Sequence, residues 1–233
     1  MRDLLFASAD ILMAAVGFVC GMKFVRRHRN YLLGLEMIIM GASASNFLLY
    51  GLLKHGQDSP MFHIAFFLDA FSRSIGFTLI LVMGLLVLTH GYTPSLRTEV
   101  AAFALAAVFG FFLSKFAAEI GTPGKVFFFL AAIGTSILLC YFAFRLWRMG
   151  ERTQAARVCT VTALNVVVAS IYDFWHIPGD DARHTIFYTV ALCTWGLTML
   201  VIYRAYSAFD VRTAALTDRL TASATHIAGA GVA

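Results

Sequence analysis

The side chains best suited to chemistry in this 233-residue chain are polar groups set inside apolar sequence. Asp69 and Arg73 stand four residues apart, so on a helix they share a face and can pair. Asn46 and Tyr50 share a face in the same way, as do Asn165, Tyr172 and His176, with Asp173 beside them. His184, Tyr188 and Trp195 form another stripe, and Asp10 and Glu36 stand in the first two apolar runs. Ionisable groups in hydrocarbon are costly and face the bundle interior, so function is sought there first. Imidazole and carboxylate groups converging in a dry pocket are what a catalytic zinc needs. Such a metal takes three protein ligands and a water, whose pKa falls toward about 7. Asp69 and His184 are the first two candidate ligands, with His55 or His176 as the third. A binding pocket would instead draw on Asn46, Tyr50, Arg73, Asn165, Asp173 and Trp195.

The elements that must position these groups are membrane helices. The chain is 60% hydrophobic and only 13% charged, with mean hydropathy +0.77. A soluble domain carries about a quarter charged residues, so this surface must face lipid. Apolar runs fall at 8–25, 31–53, 61–89, 98–117, 125–147, 156–176 and 184–207. Each approaches or exceeds the roughly 20 residues a spanning helix needs. Pro60, Pro94, Pro123 and Pro178 all fall between runs, where a missing backbone donor does least harm. The expected fold is all-α, an integral membrane bundle of seven transmembrane helices over 1–207, with a short polar tail over 208–233. Basic residues follow the first run directly and no small-residue cleavage site precedes them, so that run is expected to stay as a helix.

Charge sets the orientation. Lys23, Arg26, Arg27, Arg29, Arg97, Arg145, Arg148, Arg152, Arg157, Arg204, Arg212 and Arg219 fall on one side of that bundle. Arg2, Lys54, Lys115, Lys125 and Arg183 fall on the other. The positive-inside rule then puts the N-terminus outside and the C-terminus in the cytoplasm, with a bacterial inner membrane as the expected location. The net charge of +5 belongs to this topology and does not call for a nucleic-acid partner. Most of the polar groups then lie in the outer half, which predicts an outward-facing pocket among helices 2, 3, 6 and 7. His55 and His63 recur at the spacing of His176 and His184, which suggests a 3+1+3 pseudo-repeat.

Ser43, Ser45 and Tyr50 late in the second run, Asp69 early in the third and His184 with Tyr188 opening the seventh resemble a known pattern. The chain is similar in these patches to the CREST superfamily, the seven-helix group of alkaline ceramidases and of adiponectin and progestin receptors. The resemblance implies a zinc-dependent hydrolase acting on a lipid amide. It assigns Asp69 and His184 to the metal, with His55 or His176 completing the shell, and lets Ser45 or Tyr188 orient a substrate carbonyl or metal-bound water. Tyr188 stands at the second histidine of the helix-7 motif, and Tyr50 near the helix-2 histidine.

Two non-catalytic classes fit the same residues. A transporter of a small solute would use Asp69 and Arg73 along its path, although the runs lack the paired Gly/Pro interruptions of many carriers. A receptor or accessory subunit would bind a lipid or small molecule in the outer pocket without turnover. Covalent retinal is not expected, because the seventh run contains no lysine. Haem is disfavoured because His63 and His90 stand at opposite ends of one run and no Cys-x-x-Cys-His occurs. Cys20, Cys140, Cys159 and Cys193 lie singly in apolar runs and read as inert thiols.

Overall fold

The computed structural model describes residues 2–53, 59–73, 77–175, 177–181 and 184–230. Among them every regular element is a helix. α1 is Arg2–Lys23, and it runs into a wider π-helical turn over Phe24–His28. α2 is Tyr31–Leu53, α3 Pro60–Phe71, α4 Phe77–His90, α5 Leu96–Arg148, α6 Arg152–Phe174 and α7 Thr185–Ala230. Six helical stretches are long and apolar enough to cross a membrane, because α5 divides into Leu96–Phe116 and Glu119–Arg148. The third apolar run is shared between α3 and α4, of 12 and 14 residues, each short of a bilayer.

Local sequence explains the boundaries. Ser59 caps α3 by accepting the Phe62 N–H, with Pro60 in the first turn, where its missing donor costs nothing. Ser95 caps α5 by accepting the Thr98 N–H. Gly121, at φ 53° and ψ −129°, breaks α5 with a kink at the start of its second span. Only glycine takes that conformation without strain. α7 continues as helix past residue 207, through the polar tail, and reaches Ala230.

Side-chain contacts fix how neighbours run. α1 and α2 are antiparallel, since a Cβ added at Gly17 would lie 2.8 Å from the Cα of Gly41, and one at Gly21 would lie 2.7 Å from the Gly34 carbonyl. Asn46 donates to the Met61 carbonyl and Asn30 to the Gly84 carbonyl, so α3 and α4 both descend against α2. The first half of α5 returns beside α3, with Gly110 against the Phe71 backbone. The second half runs with α3 and α4, with Phe128 at Arg73 and Arg145 donating to the Thr89 carbonyl. α6 opposes it through Phe129 and Phe174, and α7 opposes α6 through Asn165 with Thr198 and Tyr172 with Phe187. α7 lies parallel to α1, with Gly196 beside Met13 and Tyr203 and Tyr206 around Phe24.

Burial identifies the core. The span of α7 is 56% buried, against 17% for each half of α5, so α7 is the interior staff and α5 faces lipid. One end of the bundle is closed by Phe24, Leu32, Leu85, Phe142, Leu146 and Ile202, all fully buried. Of the cysteines, Cys20 is buried, Cys193 half-buried, and Cys140 and Cys159 are exposed on the outer surface of the bundle. Lipid tails are as apolar as leucine, so the bundle is held by close packing rather than by escape from water. The α1–α2 seam is the closest such contact: Gly17, Gly21, Gly34 and Gly41 bring the two backbones together. A larger residue there overpacks the seam, at a cost of about 1–3 kcal/mol. Gly17→Leu should therefore lower the thermal unfolding midpoint in detergent, whereas Gly134→Ala, with nothing within 4 Å, should leave it unchanged.

Candidate functional site

The site begins with a helix-turn pair. Asp69 and Arg73 stand one turn apart where α3 ends, and Arg73 Nη1 lies 3.5 Å from Asp69 Oδ2. That is loose for a charge-assisted bond, which closes to about 2.7–2.9 Å. α6 supplies the third member: the Tyr172 phenol donates to Asp69 Oδ2 at 3.1 Å. The Arg73 guanidinium lies over the Tyr172 ring at 3.5 Å and over Phe128 at 4.6 Å, so two aromatic faces hold the cation in place. Tyr188 of α7 meets the Tyr172 ring at 6.3 Å, and Phe187 meets it at 5.1 Å.

Two spaces meet at Tyr172. An inner chamber of about 140 Å³ is bordered by Asp69, Arg73, Ser43, Ser136, Asn165 and Trp195 among mainly apolar side chains. An outer vestibule of about 360 Å³ is bordered by Lys125, His184, Tyr188, Trp175 and Phe187. Tyr172 lines both. The chamber's polar groups are ordered from within. Asn165 Nδ2 donates to the Val161 carbonyl and to Thr198 Oγ1, both at 2.7 Å, which leaves its Oδ1 as an acceptor. Ser136 donates to the Ala132 carbonyl and keeps its lone pairs.

The sequence candidates separate across this geometry. Asp69, Arg73, Asn165 and Trp195 border the chamber, while His184 and Tyr188 border the vestibule. Ser45 is turned onto its own helix, donating to the Gly41 carbonyl, and Ser43 takes the chamber position instead. Asn46 ties α2 to α3, and Tyr50 packs on Phe62 at 5.8 Å. His55 and His176 lie outside the described residues, and so does the side chain of Asp173. Among the described residues no three His, Cys, Asp or Glu side chains gather closely enough for a metal ion. Asp69 is committed to Arg73 and Tyr172, and His184 borders the vestibule rather than the chamber. The third ligand that the resemblance implies, His55 or His176, lies outside the described residues.

Tyr172 was legible as part of the Asn165 stripe but not as the hub, and Phe128, Ser72 and Lys125 had no local signal, because each matters through a partner distant in sequence. The same is true at the other end of the bundle. There His28 Nδ1 meets Asp210 Oδ2 at 2.9 Å and Nε2 meets Ser207 Oγ at 3.1 Å. The order is that of a serine-hydrolase relay, but the His28 side chain is only 2% exposed and neither space reaches it. It clasps the α1–α2 turn to α7.

A double cap opens α7, whose first turns carry the vestibule residues Phe187 and Tyr188. Asp180 accepts the N–H groups of Asp181, Ile186 and Phe187, and Asp181 accepts both the N–H and the hydroxyl of Thr185. This brings the chain through His184 at φ 54°. Slight burial pushes the Asp180 carboxyl up, and its three backbone donors outweigh that, so it sits below the usual carboxylate range.

Comparison with family models, with curated proteins and with solved structures finds no match to this chain.

Three stability experiments follow from these bonds. Tyr172→Phe removes one hydrogen bond to a carboxylate and should cost about 1 kcal/mol in detergent unfolding. Asp69→Ala strands Arg73 and should cost about 2 kcal/mol, less than for a fully buried pair because both side chains keep some exposure. Asp180→Ala should cost about 1 kcal/mol as a lost cap. Because the folded carboxyl is lowered, its contribution is complete above the ordinary aspartate value near about 4 and drains away as pH falls through the folded value. The acid limb of the unfolding profile should flatten in Asp180→Ala.

Proposed function

We propose that this chain crosses the membrane seven times and carries a small zwitterionic solute, which it takes from the vestibule into the chamber. Parallel α1 and α7 support the count. Parallel ends need an odd number of crossings between them, and α2, the two halves of α5 and α6 make four, so α3 with α4 supplies the fifth. The excess of basic residues at the end closed by Phe24 and Leu146 supports a cytoplasmic assignment for that end, with the vestibule outside.

The observation that carries the solute class is the loose Asp69–Arg73 pair at 3.5 Å, bordering a chamber whose other walls are largely apolar. Such a pair can be opened by a solute that brings both charges, an ammonium for Asp69 and a carboxylate for Arg73. A solute with one charge would strand the partner it does not meet, at a cost of several kcal/mol where water is scarce. Size narrows the class. A cavity of about 150 Å³ takes benzene, so this chamber suits a solute of roughly six to nine non-hydrogen atoms. Lys125 and His184 at the vestibule, with the phenol of Tyr188, would receive the carboxylate end first.

The test is a binding panel on the full chain in lipid nanodiscs. α-Amino acids, betaines, monocarboxylates and primary amines are compared by thermal shift and calorimetry, with labelled uptake into proteoliposomes for those that bind. A zwitterion should raise the unfolding midpoint and accumulate, and Asp69→Asn and Arg73→Gln should each reduce its affinity at least tenfold, about 1.4 kcal/mol. Equal binding of singly charged solutes, or no response to any zwitterion, would sink the proposal. Stoichiometric zinc in the purified protein, lost in Asp69→Ala and His184→Ala, would turn the assignment to the hydrolase.

A further inference from the structure

Below the chamber lies a carboxyl that the solute does not need. Glu36 of α2 is 1% exposed, and neither of its oxygens has a hydrogen-bond partner. Membrane proteins do not bury a lone carboxylate in this way: the unpaired anion would cost many kcal/mol, and a bound proton removes that cost. Its surroundings offer no substitute. The charged or titratable groups of the packed elements include Asp10 and Lys23 of α1, His28 of the π-helical turn, Asp69 and Arg73 at the end of α3, and His90 of α4. Among the described residues, the side chain that acts on Glu36 is Ser72. The Ser72 hydroxyl is itself buried without a partner, and Ser72 borders the chamber. One serine therefore separates the orphan carboxyl from the space that holds Asp69 and Arg73. Asp10 makes the contrast, being equally buried and unpartnered but bordering neither space.

We propose that Glu36 is a proton-binding site that opens through Ser72 onto the chamber, and that it couples solute passage to proton movement. Loading forms an O–H bond between a Glu36 oxygen and a proton delivered by chamber water through the Ser72 hydroxyl. Release breaks that bond, returns the proton to water and leaves the carboxylate; no electrons change hands. A metal cation is the weaker occupant, since it needs several oxygens and, among the described residues, the carboxyl and one hydroxyl converge here. The coupling role rests on the solute chamber proposed above, while the proton site stands without it.

The test reads the proton directly. Infrared spectra of the full chain in nanodiscs are recorded against pH, in H₂O and in D₂O. A protonated-carboxyl C=O component should be present at neutral pH, shift in D₂O and fade at alkaline pH. Asp10, equally buried, can give a band of its own, so the variants are compared in an Asp10→Asn background: the component should persist there, adding Glu36→Gln should abolish it, and adding Glu36→Asp should keep it. In parallel, a lipophilic carbodiimide, which attacks protonated carboxyls in apolar surroundings, should leave a mass-mapped adduct on Glu36 of the unmodified chain. A component that neither exchanges nor titrates would make Glu36 a locked structural acid and overturn the proposal. So would the absence of both the component and the adduct, or displacement of the component by sodium at fixed pH. Failure of the solute panel would leave these signals untouched, so the two proposals fall separately.

Discussion

The structure depends on the absence of water around its helices. A hydroxyl in hydrocarbon must find its partner within the protein, and here the local answer is repeated. Ser45, Thr135, Ser136, Thr162, Ser170, Thr194 and Thr198 each donate to the carbonyl four residues earlier. Against that background, polar groups that reach between helices are informative. Asp69 reaches α6 through Tyr172, Asn165 reaches α7 through Thr198, and Asn30 ties α2 to α4 and α7 through Gly84 and Tyr206. Those three links hold the walls of the chamber and its floor.

Packing then sets the width of the space. The glycine seam draws α1 and α2 together, and Gly84 admits the Leu33 side chain between α2 and α4, a Cβ there meeting Leu33 at 2.5 Å. Helices that approach so closely on one side leave bulky residues to fill the other, and the chamber is what remains between α2, α3, the second half of α5, α6 and α7, so α5 joins the four helices expected from the sequence. A charged pair inside a bundle resists close packing because its ends still need polar company. The chamber is thus the consequence of the pair as much as its container.

How much of this was legible in the sequence follows from what each signal depends on. Apolar length located the helices, and Pro60 marked the start of α3 because a proline boundary is local. The Asp69–Arg73 spacing is local too, and the pair forms. The α1–α2 seam, the hub at Tyr172, the Arg73 stacking and the His28–Asp210 clasp join positions up to 182 residues apart, and no local pattern encodes them. Ser43 and Ser45 show the finer limit: both suit a site by type, and only their helical phase, two residues apart, decides that Ser43 faces the chamber. The internal break of α5 was visible as Pro123, but the residue that makes the kink is Gly121.

The chamber lies where the third run is least regular. α3 closes with a widened turn at Ser72 and Arg73, and π-type turns are rare and concentrate at functional sites. Irregular backbone at membrane depth is tolerated where it lines a cavity, and this turn does. It also aims two neighbouring residues differently: Arg73 between the rings of Tyr172 and Phe128, and Ser72 toward Glu36. In a regular helix consecutive side chains diverge by about 100° and serve unrelated faces. Here the divergence joins the solute pair to the buried acid through a single peptide, so a shift of that turn moves both groups at once. Coupling of two sites needs an element that both of them bias; among the described residues this turn borders the chamber and faces Glu36, as α2 does through Met40, Ser43 and Glu36 itself.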